Sequence, residues 1–258
     1  MTQPLLSLEG KKGLIVGIAN DQSIAYHCGQ AFRDLGAELA VTYLNEKAEK
    51  HVRPLADALE SPLVMPCNVQ HEGELEAVFE AIEQQWGRLD FVVHSIAFAP
   101  LKDLHGRLTD SSLEGFLTAM DVSCHSFIRM AHLAEPLMRD GGTLLTMSYY
   151  GAEKVIPGYQ LMGPAKAALE ASVRYLADEL GEQGIRVHGL SPGPIATRAA
   201  SGLAGFDQLL DTARSQSPLR RLAEPADVAA LASLLVSDRA RTMTGNIIPV
   251  DGGYHVKG

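Results

Sequence analysis

Cysteine is scarce in this chain of 258 residues: Cys28, Cys67 and Cys124 stand far apart, with no CxxC pair. An odd, sparse set offers no disulfide framework and reads as reduced thiols. Widely spaced single cysteines are also a poor zinc set, so no metal is expected. A basic excess is missing too. The 22 Lys and Arg against 31 Asp and Glu leave a net charge of −9, which argues against broad nucleic-acid binding, because that needs a positive surface. No window approaches the roughly 18 uninterrupted apolar residues of a membrane span. No basic segment followed by an apolar core stands at the N-terminus, so no secretory signal is expected. These absences predict a soluble, cytoplasmic protein with neither nucleic acid nor membrane as partner. Linkers, repeats and low-complexity stretches are lacking as well, which predicts one domain over 1–258.

The chain does have enough apolar residues, 46%, for a large core. They fall into short buried runs that alternate with amphipathic segments. Residues 12–17 read as a strand, 24–35 as a helix closed by Gly36, and 37–43 as a second strand, which makes a βαβ unit. Further strands are expected at 63–69, 89–96, 143–147, 185–190 and 246–250. Helices are expected at 72–86, over most of 112–138, from about Tyr159 through Gly181, and at 226–236. The pattern predicts an α/β fold: a single Rossmann-like, doubly wound parallel sheet of about seven strands with helices on both faces. Ligands of such sheets bind at the strands' carboxyl ends.

The first βα turn lacks the G-x-G-x-x-G fingerprint. Gly17 stands at the strand end, with Ala19 and Ser23 beyond it. Either this is a plain turn, or its amides and the helix N-terminus face a pyrophosphate, with Ser23 as N-cap adding a hydroxyl. After the second strand come Leu44, Asn45, Glu46 and Lys47, with no acid at the strand tip and no arginine. NADH is favoured, and Lys47 keeps NADPH open.

The segment from Tyr149 to Lys166 carries the candidate chemistry. Tyr149 closes an apolar run, Pro157 and Gly158 punctuate a loop, and Tyr159 precedes Lys166 by seven residues. With Tyr159 in the helix's first turns, that spacing puts both side chains on one face. A phenol beside a fixed cation can donate to developing negative charge. Pro164 inside the expected helix works against its regularity. Among the histidines, His94 at a strand end is read as part of a pocket wall, and His125 and His132 as structural or surface groups.

Ser191–Pro194 and Val250–Gly253 fit the short-chain dehydrogenase/reductase superfamily, but that superfamily's usual Tyr-x-x-x-Lys pair is absent, since Met162 stands four before Lys166. Ser23–Tyr26, His94–Pro100, Ser148–Glu153, Tyr159–Lys166 and Gly193–Thr197 together resemble its divergent branch, the bacterial NADH-dependent enoyl-acyl-carrier-protein reductases. The resemblance spans nearly the whole chain. It implies reduction of a trans-2-enoyl thioester, with Tyr159 hydrogen-bonding the thioester carbonyl, Lys166 holding the nicotinamide ribose and Tyr149 as the second active-site tyrosine. It also implies cofactor contacts at Gly17, Ser23, Ile24, Leu44, Asn68, Val69, Ile96, Lys166, Ile195, Ala196, Thr197, Arg198 and Ala199. Substrate contacts are implied at Ala99, Tyr149, Tyr159 and Met162, with a substrate loop at about 195–215. Asn68 stands where the family has aspartate, and Leu44 where it often has glutamine. Ala204, Asp207 and Gln208 stand where relatives often place basic residues that meet the acyl carrier protein, while Arg198, Arg214, Arg220 and Arg221 lie nearby. The implied assembly is a homotetramer, which the apolar face of 169–180 suits. A carbonyl or polyketide reductase on the same fold, or a dinucleotide-binding regulator without turnover, are the alternatives.

Overall fold

The structure, a computed structural model, describes residues 6–197 and 205–257. Each apolar run becomes a strand: β1 (Lys12–Val16), β2 (Glu38–Tyr43), β3 (Leu63–Pro66), β4 (Phe91–His94), β5 (Gly142–Met147), β6 (Ile185–Pro192) and β7 (Asn246–Val250). They pair in parallel in the order β3-β2-β1-β4-β5-β6-β7. The strand order reverses between β1 and β4, where Val16 pairs with His94. That reversal opens a crevice at the carboxyl edge.

Alternate side chains along the strands feed two cores. Leu14, Val92 and Leu144 pack with Val78, Phe127 and Val173. Ile15, Val93 and Leu145 pack with Phe32, Val52 and Val228 on the other face. Helices α1 (Ile24–Asp34), α2 (Glu46–Ala58) and α9 (Pro225–Val236) supply the second face, and α3 (Glu74–Trp86), α6 (Ser126–Ala134) and α7 (Met162–Leu180) the first. The expected doubly wound sheet is therefore present. Both faces are covered, which is why the central strands β1, β4 and β5 read as largely apolar runs and not as alternating ones.

Four local points differ from expectation. Helix α2 has no counterpart in the sequence reading. Only Val52 and Ala56 are buried along it, and Pro54 lies inside it. The expected long helix over 112–138 is instead α5 (Leu113–Met120), a π-helical turn (Asp121–His125), α6, and a 3₁₀ turn (Glu135–Leu137). Helix α7 begins at Met162, so Tyr159 precedes it: the Met162 amide donates to the Tyr159 carbonyl at 2.9 Å. Pro164 then falls in the helix's first turn, where an N–H has no intrahelical partner to lose. The face of α7 read as a possible subunit contact (Leu169, Val173, Leu176, Leu180) is taken up by the chain's own core.

Two buried imidazoles tie this core to pH. His94 lies 2.8 Å from Thr146 Oγ1 through Nδ1 and 2.8 Å from Ser126 Oγ through Nε2. Burial, with Lys166 adding to it, lowers its pKa from 6.5 to about 3. His188 on β6 is fully buried. The Met243 backbone approaches its ring, but neither nitrogen reaches hydrogen-bond geometry with any described residue. Burial first and Arg186 second lower its pKa to about 4.

Both folded values lie below the unfolded one, so between them the unfolded chain binds more protons. Their share of stability is intact above about pH 6.5 and is lost as pH falls towards 4 and then 3. Thermal melts are expected to show Tm dropping across that acid window. His188→Leu removes an unpaired buried imidazole, and should stabilise the fold near neutrality by about 1 kcal/mol while flattening part of the acid drop. An unchanged acid slope in that variant would take His188 out of the account.

Candidate active site

A cleft of ≈ 390 Å³ runs across the carboxyl ends of β1, β4, β5 and β6. On the β1 side, Gly17 adopts φ +117 and comes so close to the end of β4 that a Cβ there would sit 2.1 Å from the Ser95 carbonyl oxygen. Ser23 follows at the N-cap of α1 but does not cap the helix. Its Oγ turns back and accepts from the Ala19 and Asn20 amides, each at 3.0 Å. The serine thus shapes the turn that glycines would otherwise shape. The Ile24 and Ala25 amides, first in the helix, stay outside its hydrogen-bond ladder.

The β5 end and the turn before α7 bring the chemistry together. Lys166 is 4% exposed, and its Nζ donates to the Met147 carbonyl at 2.6 Å. Burial lowers its pKa to about 8, against the raising effects of Cys124 and Glu170. Tyr149 and Tyr159 meet edge to face, with ring centroids 4.9 Å apart and planes at 64°. Gly151 makes room for that pair, since a Cβ there would lie 2.5 Å from the Tyr159 ring. Burial pushes both phenols' pKa values up, so both stay neutral donors. The Tyr149 hydroxyl is buried and meets no partner among the described residues. A buried phenol without a partner is costly unless a ligand satisfies it.

The family sequence model described as Enoyl-(Acyl carrier protein) reductase matches residues 17–255. The chain belongs to this family. The enoyl-[acyl-carrier-protein] reductase [NADH] 1 of Rhizobium meliloti (strain 1021) is 45% identical over 258 residues, which covers 100% of this chain and 95% of that one. The enoyl-acyl-carrier-protein reductase of Anaplasma phagocytophilum, solved in complex with NAD, superposes with a TM-score of 0.92 at 48% identity, covering 97% of this chain and 94% of that one. The Bacillus cereus reductase, solved with NADP+ and an indole naphthyridinone, gives a TM-score of 0.96 at 44% identity, covering 98% of this chain and 100% of that one.

In this member of the family the cleft gathers most of the expected residues. Gly17, Ser23, Ile24, Ile96, Ile195 and Thr197 line it, as do Ala99, Tyr149, Tyr159, Met162 and Lys166. Leu44, Asn68 and Val69 do not line it. They follow β2 and β3, along the same carboxyl edge but beyond β1. Leu44 is 54% exposed and has no polar group to offer, while the Asn68 Oδ1 accepts from the Gln70 amide and so is turned into its own loop. Ala196 borders a neighbouring cavity with Arg214 and Arg221. Arg198, Ala199 and Ala204 lie outside the described residues.

His94 is corrected. It is not a wall of the cleft but a buried clamp between β5 and α6. His125 and His132 are exposed, and His125 lies 3.5 Å from Asp121.

The sequence reading missed two groups. One is an apolar lip of Phe98, Leu101 and Leu104, faced by Phe206 and Leu209 of α8 (Phe206–Gln216). Its signal was available, because Phe98 and Leu101 are large apolar residues on either side of Pro100, Leu101 opening the short helix α4 (Leu101–Leu104), and both are more than half exposed. The other is Ser148, which lines the cleft and donates to the buried Glu170. The cleft suits a dinucleotide: a tight glycine turn, free amides at a helix start and a buried ammonium all lie on the β1/β4 crevice.

Proposed function

We propose that the protein reduces the trans-2 double bond of an enoyl thioester, with NADH as reductant, as a step of fatty acid elongation. The observation that carries this reading is the convergence of Tyr149, Tyr159 and the buried Lys166 in one cleft beside the β1/β4 crevice. Gly17, Ser23, Ile24, Ile96, Thr197 and Lys166 hold the dinucleotide. The chemistry that a bound reduced nicotinamide supplies is hydride for C3 of the substrate.

As C3 is reduced, negative charge gathers on the thioester oxygen. The Tyr159 hydroxyl donates to that oxygen, and the Lys166 ammonium adds positive field behind it. A raised phenol pKa means that Tyr159 stays a donor through the neutral range and does not act as a base. Tyr149 packs the Tyr159 ring into one orientation, and the apolar lip of Phe98, Leu101 and Leu104 holds the acyl chain. The carbonyl oxygen of an enoyl thioester lies farther from the carbon that accepts hydride than a ketone's does. The seven-residue separation of tyrosine and lysine suits that longer reach.

The thioester is carried by acyl carrier protein. Arg214, Arg220 and Arg221 are exposed and give a basic face near α8 to an acidic carrier, while α8 itself presents Asp207 and Gln208. The assembly is a homotetramer in the cytoplasm. The exposed Leu113, Phe116 and Leu117 of α5 are the surface that such an assembly covers, and no described helix is long and apolar enough to cross a membrane.

The test is oxidation of NADH and NADPH with enoyl and ketoacyl groups of several lengths, each on carrier protein and on coenzyme A. Enoyl turnover with NADH, faster on the carrier protein, is expected. Ketoacyl turnover without enoyl turnover would hand the site to the carbonyl-reductase reading. Equal use of the two carriers would make the chain a specialised paralogue.

A further inference from the structure

Reducing a carbon–carbon double bond consumes one proton along with each hydride, and that proton must come from somewhere. The groups named so far are poor sources. Burial holds both phenols neutral, so neither yields its proton readily, and the Lys166 ammonium is tied to the Met147 carbonyl. Ser148 is different. It lines the cleft, and its Oγ hydrogen-bonds Glu170 Oε1 on α7. Glu170 is one turn beyond Lys166 and only 7% exposed. Its other titratable or charged neighbours are Lys166 and Arg174 on its own helix, Glu153 on the turn after β5 and the neutral Tyr159 ahead of α7, and Glu153 and Arg174 are exposed. The carboxyl therefore stands between solvent and the cleft, with a hydroxyl between it and the reacting atoms.

We propose that Glu170 and Ser148 form a proton relay that supplies the proton added at C2. The inference rests on the enoyl-reduction reading above. The protonated Glu170 carboxyl gives its proton to Ser148 Oγ as the Ser148 hydroxyl proton passes to the enolate, directly or through water in the cleft. Ser148 ends neutral, the enolate becomes the saturated thioester, and Glu170 is left as carboxylate. Solvent then returns one proton to it past Glu153 and Arg174. Burial raises the Glu170 pKa above the usual carboxylate range, against the lowering effect of Ser148, and keeps the donor form available nearer neutrality.

Glu170→Gln keeps the hydrogen bond and removes the titration. In the wild type, kcat should fall in two alkaline stages: one as Glu170 loses its proton, and one at about 8 as Lys166 does. The variant should lose roughly 10²-fold in kcat, within the span of general-acid effects, keep KM for the enoyl thioester and lack the lower stage. It should also show a larger solvent deuterium isotope effect and a smaller primary effect from deuterated NADH. Ser148→Ala should reproduce these changes and Ser148→Thr restore wild-type behaviour, and that pair decides the matter if Glu170→Gln fails to fold. Independently of turnover, the infrared spectrum should show a carboxylic-acid band that titrates in the wild type and is missing from Glu170→Gln. Wild-type pH and isotope profiles in Glu170→Gln and Ser148→Ala, or no such band, overturn the relay alone. A wild type that does not reduce enoyl thioesters removes the reading beneath it and the relay together.

Discussion

Replacing Tyr159 with phenylalanine is expected to lower kcat/KM for an enoyl thioester by roughly 10²–10³-fold, the span seen when one oxyanion donor is removed. That corresponds to roughly 3–4 kcal/mol of transition-state stabilisation. The substitution is clean because the ring is held by shape. Tyr149 packs edge-on against it, and the space left by Gly151 receives its flank. Phenylalanine fills the same volume and loses only the hydroxyl, so thermal melts should barely move. NADH affinity should hold too, because Lys166 and the β1 turn stay in place. Tyr149→Phe removes a hydroxyl that has no partner among the described residues, so its cost should be smaller. Steady-state kinetics of both variants separate the roles. Near-normal turnover in Tyr159→Phe, with collapse in Tyr149→Phe, would transfer the donor role to Tyr149.

What the sequence made legible, and what it hid, follows from how far each signal reaches along the chain. A strand buried on both faces is a largely apolar run, which makes β1, β4 and β5 legible, while the half-buried β3 and β7 and the Arg- and His-bearing β6 are legible from their β-branched residues between turns. The helices with broad apolar faces, α1, α3, α7 and α9, were readable for the same reason. Helix α2 was not, because it rests on the core through a narrow stripe of Val52, Leu55 and Ala56, is mostly polar elsewhere and has Pro54 inside it. Its one clear signal was Asn45, whose side chain accepts from the Ala48 amide as an N-cap does.

The π-helical turn at Asp121–His125 was hidden for a different reason. It inserts a residue into the helical phase without changing composition. Yet it turns Ser123 towards the Phe98 backbone, whose amide donates to Ser123 Oγ at 3.0 Å, and so shapes the lip of the cleft. At the site, the tyrosines and lysine were legible because one short segment carries them all. Ser148 with Glu170, and His94 with Thr146 and Ser126, pair across elements: the β4/β5 register brings Thr146 to His94, and the packing of α6 and α7 on the sheet sets the other two partners. The seven-residue tyrosine–lysine spacing does pair two residues that line one cleft, but through a different local structure: a turn ahead of α7, not the helix itself, aims Tyr159.

The other large effect is expected at Gly17, where Gly17→Ala should cost roughly 2–5 kcal/mol, combining overpacking against backbone with a strained dihedral. The residue sits at φ +117, and an added methyl would meet the Ser95 carbonyl oxygen at 2.1 Å and its carbon at 2.6 Å. Neither atom can give way cheaply, because the Ser95 amide is tied to the Val16 carbonyl at 2.9 Å. The methyl must therefore push β1 and β4 apart at their carboxyl ends. Against a total stability of about 5–15 kcal/mol, that is a large fraction.

Gly10→Ala is the control. Gly10 also has positive φ, at +77, but nothing lies within 4 Å of the added carbon, so it should lose only about 1 kcal/mol from backbone strain. The difference between the two melts isolates the steric contact. The same displacement should weaken NADH binding by at least about tenfold, or about 1.4 kcal/mol, measured by calorimetry at a temperature where the variant is still folded. A Gly17→Ala protein with wild-type Tm and wild-type NADH affinity would mean that the β1 turn opens freely, and that the dinucleotide's seat lies away from the β1/β4 crevice.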